Sequence, residues 1–337
     1  MSRADAGTDS GAGATEAGAT EVGPAATDSG AGTTGIGTTG IGTTGIGTTG
    51  IGTSAAGTPR LLWSLGLFRS ELVTTFRRWR TLALLGVLAA VPVLIGVAIR
   101  IETSDGGSVG GGGQGPAFFT QITNNGLFLV FAALAATLPV FLPMAVGVVA
   151  GDAVAGETNS GTLRYLLVAP AGRTRLLLAK YAATLAFCLA ATLAVAASAL
   201  ATGALLFPLG DVTTISGTRI SFTDGLLRAL LVAVLVAASL TGIAALGLFV
   251  STLTGSGVAA MATTVGLVIT VQILNSIPQL DAVHPYLFPH HWLSFADVLR
   301  EPVYWDDVLR NLGLQGAYVA VFGSAAWARF ASKDITA

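Results

Sequence analysis

The chain has 337 residues, of which 52% are hydrophobic and only 10% charged, with a formal net charge of −1. Ordinary soluble domains carry roughly 25% charged residues. This composition excludes a soluble fold of ordinary surface and points to helices in a bilayer, whose hydrocarbon core is about 30 Å thick.

Residues 1–58 are Gly, Ala, Thr and Ser with a few acids, and the pentad Thr-Thr-Gly-Ile-Gly repeats four times from Thr33 to Gly52. Its glycines raise the entropy cost of ordering and its isolated isoleucines build no stripe, so a disordered low-complexity tail is expected. It has no apolar run after a basic start and is not a secretory signal. Nor is it a phosphate loop. That motif needs a Gly-Lys pair opening a helix, and the only lysines, Lys180 and Lys333, follow Ala and Ser.

From Thr58-Pro59, a capping hydroxyl and a first-turn proline, a helix is expected. Leu61, Leu65, Phe68, Leu72, Phe76 and Trp79 recur at spacings of three and four, with Arg69, Arg77, Arg78 and Arg80 gathering toward the end. Residues 59–80 therefore read as an amphipathic helix on a cytoplasmic membrane surface, or as a solvated helix packed on a core. Phe68, Glu71, Leu72, Arg77 and Arg78 are its candidate contact residues.

Six uncharged apolar runs follow, at about 81–99, 126–150, 181–207, 229–250, 257–274 and 312–328. At about 1.5 Å per residue each is long enough, or nearly so, to cross the core. Pro139 and Pro143 predict a kink or break in the second run, tolerable where neighbouring helices satisfy the freed carbonyls. The single cysteine, Cys188, lies inside the third run and reads as a packing residue; it excludes an intramolecular disulfide or a cysteine metal cage. With six spans both termini share one side, which collects twelve of the seventeen basic residues. The basic excess makes that side cytoplasmic. Residues 81–337 are thus expected to form an all-α, six-span domain of the plasma membrane. Residues 100–125 read as a mobile Gly-rich loop. Residues 275–311, with Trp292, Phe295, Tyr304 and Trp305, read as short outer helices at the interface.

Two constellations suggest chemistry and fail on inspection. Gly255-Ser256-Gly257 resembles a nucleophile turn, but His284, His290 and His291 are predicted on the opposite face, and a serine needs a nearby base. The histidine spacing is unspecific for a metal. No catalytic residue, cofactor, metal or nucleic-acid partner is expected.

The segment 151–180 is the charged, turn-rich interlude between two apolar runs. Glu157 precedes a turn-forming Thr158–Gly161, Thr162 is placed to cap a short helix from Leu163 to Ala169, and Pro170 and Gly172 end it. Leu163, Leu166 and Leu167 share one face. Such a helix suits docking into a groove of a soluble partner; the alternative is an ordinary connection whose Arg164, Arg173 and Arg175 only set topology.

Glu157, Gly161-Thr162-Leu163, Leu166-Leu167, Pro170, Arg173 and Lys180 together resemble the signature of ABC-2-type transporter permeases, the membrane subunits of ATP-binding-cassette exporters. The helix before the first span, the loop after the second and the terminal ARFASKDIT resemble that family too, over about residues 60–337. The resemblance implies a homo- or heterodimer of permease subunits in membrane lipid, bound to a cytosolic ABC ATPase. Glu157–Ala169 would be the coupling helix, with Arg173 beside it, and residues 61–80 a second contact. An ion-coupled secondary carrier is the rival, weakened because the runs hold no ionisable group; a non-transporting assembly or sensor protein is a third reading.

Overall fold

In a computed structural model of the chain, the described residues are 60–104, 122–159, 172–213 and 218–332. The chain divides into Met1–Ser54 and Ala55–Ala337, and every described residue lies in the second unit. The expected disordered tail, most of the mobile loop 100–125, and Gly161, Thr162, Leu163, Arg164, Leu166, Leu167 and Pro170 lie outside the described residues.

The described architecture is helical. In order come α1 (Arg60–Arg77), α2 (Trp79–Ser104), α3 (Phe128–Thr137), α4 (Phe141–Asn159), α5 (Arg173–Leu206), α6 (Phe222–Ser239), α7 (Thr241–Leu253), α8 (Gly257–Ser276) and α9 (Asp306–Ser332). Three 3-10 segments, Pro278–Leu280, His284–Tyr286 and Trp292–Leu299, separate α8 from α9. Where short outer helices were expected, the prolines give these tighter turns. The all-α expectation also needs a correction: β1 (Val212–Thr213) pairs antiparallel with β2 (Arg219–Ile220), Val212 opposite Ile220.

Among the described residues, five stretches are long and apolar enough to cross a membrane: α2, Phe141–Thr158 of α4, α5, Phe222–Leu253 across α6 and α7, and α8. The helices outrun the apolar runs that nucleate them. α4 continues to Asn159 and α5 starts at Arg173, so both carry charged residues that the runs lack.

The second run is broken, as its prolines require. α3 is ten residues long with nine buried, which makes it an interior helix. Residues 138–140 then turn before α4 begins. In an unbroken helix the amide of Pro143 would serve the Pro139 carbonyl, and proline has none. Gln272 of α8 fills the gap: its Nε2 donates to Pro139 O at 2.5 Å. The fourth run is also two helices, divided at Leu240, where Gly242 lets α9 approach closely. A Cβ there would come within 3.0 Å of the Tyr318 Cβ.

Capping explains two starts. Ser221 accepts from the Asp224 amide at the head of α6, and Ser256 from the Ala259 amide at the head of α8. The Gly-Ser-Gly turn is therefore a helix cap. The main core surrounds α3, with Phe128, Phe131, Phe187 and Phe288 fully buried. α5 packs against α1, α2, α3 and α6, while α4 packs chiefly on α7 and α8. The break at 138–140 thus divides the second run between two neighbourhoods.

Gln272→Leu removes the donor to Pro139 O and should lower stability in detergent by about 1–3 kcal/mol. Pro143→Ala restores an amide four residues on and should recover part of that loss. Simple additivity of the two changes in thermal unfolding would overturn this account of Gln272.

Candidate functional site

At the end of the bundle where α4 stops and α5 starts, six charged side chains converge, five from four helices and Arg78 from the α1–α2 junction. Lys180, about two turns into α5, is 2% exposed. Its ammonium donates to Glu71 Oε2 of α1 at 3.1 Å and forms a second ion pair with Glu157 in the last turn of α4. Glu71 and Glu157 are themselves buried. A lysine carries three donors and one positive charge on a compact head. Two carboxylates from different helices hold it here, so α1, α4 and α5 meet at one nitrogen.

A second knot lies beside the first. Asp152, one and a half turns before Glu157, takes Arg78 and Arg80, the latter Nη2 at 2.5 Å from Oδ2. These arginines flank the α1–α2 junction, so the same carboxylate pins the entry to the first apolar run. The carboxylate fits because two neighbours lack side chains. A Cβ at Gly156 or at Gly257 would come within 2.5 Å of Asp152 Oδ1. Gly257 therefore serves Asp152, which explains half of the Gly-Ser-Gly turn. A cavity of about 30 Å³ runs between the knots, edged by Thr74, Thr75, Thr81 and Thr184 as well as Leu84 and Val149. It has room for about one or two waters.

α7 steadies the turns that carry these acids. Ser251 Oγ, fully buried, accepts from the amides of Val154 and Ala155 at 3.0 and 2.9 Å. Farther along, Arg173 Nη1 donates to Ala331 O at 2.9 Å, and Trp327 Nε1 to Thr174 Oγ1 at 3.0 Å. The start of α5 is thereby fastened to the end of α9.

Of the residues singled out from sequence, the structure brings Glu71, Arg78 and Glu157 into the knots. Glu157, expected as a contact for a soluble partner, is buried here and paired with Lys180. Phe68 and Leu72 are half-buried, Arg77 is exposed, and Arg173 sits against α9. Sequence reasoning passed over Ser251 and Gln272, and it gave Asp152, Arg80 and Lys180 no inward role. Lys180 carried a signal in hindsight: a lysine two turns into a helix, followed by thirty residues without a charge.

At the other end, the rings of His290 and His291 lie 4.6 Å apart and His284 lies 6.1 Å from His290. Burial, with His290 beside it, holds the His291 imidazole below its ordinary range. Among the described residues no group of three His, Cys, Asp or Glu is arranged to hold a metal ion.

The class these features define is a helical membrane protein with a buried charge knot at one end. Residues 114–336 match the family described as "Protein of unknown function (DUF2705)", more than half of the chain, and the chain belongs to that family. Among curated proteins the chain has no match.

Lys180→Met should strand two buried carboxylates and cost about 3–5 kcal/mol, the scale for breaking a buried pair from one side. Combining it with Glu71→Gln and Glu157→Gln should recover most of the loss. A triple variant no more stable than Lys180→Met, by thermal unfolding in detergent, would contradict the knot.

Proposed function

We propose that the chain is the membrane subunit of an ATP-binding-cassette exporter of the ABC-2 type, working as a dimer with a cytosolic ATPase and doing no chemistry itself. One observation carries the reading. Lys180 joins α1, α4 and α5 at the two roots of the segment 160–171, the stretch whose sequence resembles a coupling helix. Whatever displaces that segment acts on three helices tied at one nitrogen. In this reading α9 supplies the sixth span, α1 lies along the cytoplasmic surface, both termini are cytoplasmic, and the membrane is the plasma membrane. Leu163, Leu166 and Leu167 provide the apolar anchor for the ATPase. Glu157 acts from inside, transmitting the load to Lys180. Docking shifts the membrane domain only if the ATPase binds its two states unequally.

A second reading has one observation in its favour. α4 and α5, as formed, contain Asp152, Glu157 and Lys180, all buried. Buried ionisable groups in spanning helices are the usual currency of ion-coupled carriers. They sit at the helix ends here, close to the segment 160–171, and a coupling role uses them more directly.

The test is co-purification of the tagged protein from membranes, with ATPase activity assayed on the product. An ATPase should accompany the wild type, and Leu166→Asp should reduce both recovery and substrate-linked turnover by tenfold or more, about 1.4 kcal/mol of docking, with insertion unchanged. A purified chain that never recruits an ATPase and whose transport follows an ion gradient would replace this reading with the carrier.

A further inference from the structure

α5 and α6 pack side by side against α3, and between them lies a cavity of about 220 Å³. Its floor is Val130 of α3 with Ala229 and Ala233 of α6, all buried. Leu193, Ala196 and Leu200 of α5 form a half-buried wall. The rim is exposed: Ala197 of α5, and Leu226 and Leu230 of α6 at 38% and 51%. The cavity is therefore a groove that opens on the surface of the bundle and ends on its interior helix.

Its origin lies in side-chain size. Four of the lining residues are alanines, which stop at Cβ, and the leucines beside them do not close the gap. Protein interiors leave few voids larger than a water molecule, and a lining with no facing atoms forfeits its dispersion contacts. Water is a poor filler here. It needs about two to four polar partners, and every lining side chain is aliphatic. The hydroxyl of Ser198, next along α5, donates to Ala89 O of α2 instead.

Depth and size identify the occupant. Both walls belong to stretches long and apolar enough to cross a membrane. Leu193 and Leu200 stand about 20 and 30 Å along α5 from Lys180, in the half of the bundle away from the charge knot. On α6, Arg228 pairs with Glu301 and marks the polar boundary at that end. From Leu226 to Ala233 the groove descends about 10 Å, roughly two-thirds of the hydrocarbon depth of one leaflet. A helix with its side chains is about 10–12 Å across, and such a length of it would need several times the volume available. Drug-sized ligands take sites of about 300–1,000 Å³. A single flexible hydrocarbon chain fits, since an apolar cavity of about 150 Å³ already admits benzene.

We propose that the groove between α5 and α6 holds one acyl chain of a membrane phospholipid against Val130 of α3. The site is independent of the transport reading. The chain supplies the dispersion contacts that the alanines forgo, and α3 is then supported by the bilayer on the side that its protein neighbours leave open.

The experiment is photo-crosslinking of the full chain in phosphatidylcholine nanodiscs, with adducts mapped by peptide mass spectrometry. A fraction of the phosphatidylcholine carries a diazirine in the upper half of one acyl chain. Adducts are expected at Val130, which is 1% exposed, and not at Leu88 of α2, which is 2% exposed. Ala196→Phe should fill the groove and abolish the Val130 adduct, with labelling of the outward Leu94 of α2 unchanged. Ala197→Phe should close the same groove from its exposed rim, so the loss can be read even where Ala196→Phe does not fold. No adduct at Val130 in the wild type overturns the site and leaves the groove to a side chain of a second copy. A Val130 adduct that survives in a folded, filled variant, or one matched at Leu88, also overturns it.

Discussion

An ammonium ion with 2% of its side chain exposed is stable only where negative charge is brought to it. Lys180 meets that condition by drawing Glu71 from α1 and Glu157 from α4, and this one requirement organises the end of the molecule. α1 is held on the bundle by a buried polar contact as well as by its apolar residues, so its position depends on α4 and α5. The Asp152 knot repeats the logic for the α1–α2 junction, with Gly156 and Gly257 leaving room for the carboxylate. A charge cluster this well paired adds little net stability compared with apolar packing; what it imposes is a fixed mutual register of helices.

A second constraint works in the middle of the bundle, where polar backbone groups have no water to turn to. Pro139 and Pro143 divide one apolar run into a buried α3 and an α4 that packs elsewhere. Gln272 supplies the donor that the proline ring removed. Together these features give α4 a firm attachment at both ends: an amide hydrogen bond near residue 139 and ion pairs at 152 and 157. A helix fixed at its ends moves as a unit, which suits the part of the chain that enters the segment 160–171.

Much of this was legible without coordinates. The break after Thr137 followed from two prolines four residues apart, and the start of α1 near residue 60 from Thr58-Pro59 and an apolar spacing of three and four. The apolar runs located their helices within a few residues at their centres. The end of the second was misjudged where charged residues continued the helix, at Asp152–Glu157, because hydropathy treats a paired charge as a solvated one. Glu157 shows the cost of that assumption. From sequence it was a carboxylate in a turn-rich loop, available to a partner; in the fold it faces a buried lysine.

The amino-acid sequence by itself determined that this is a helical membrane protein, where its apolar helices lie, and which segments interrupt them. Those properties depend on local composition and periodicity, which act over a few turns of chain. Only the tertiary structure decided which charges pair. Glu71 and Lys180 are 109 positions apart, and Arg78 and Asp152 are 74. Likewise, only the packing of α8 against α4 shows that Gln272 serves Pro139, and only the packing of α9 against α5 shows that Trp327 reaches Thr174. Ion pairing and carbonyl rescue are set by distance in space, and nothing in the spacing of these residues along the chain encodes it.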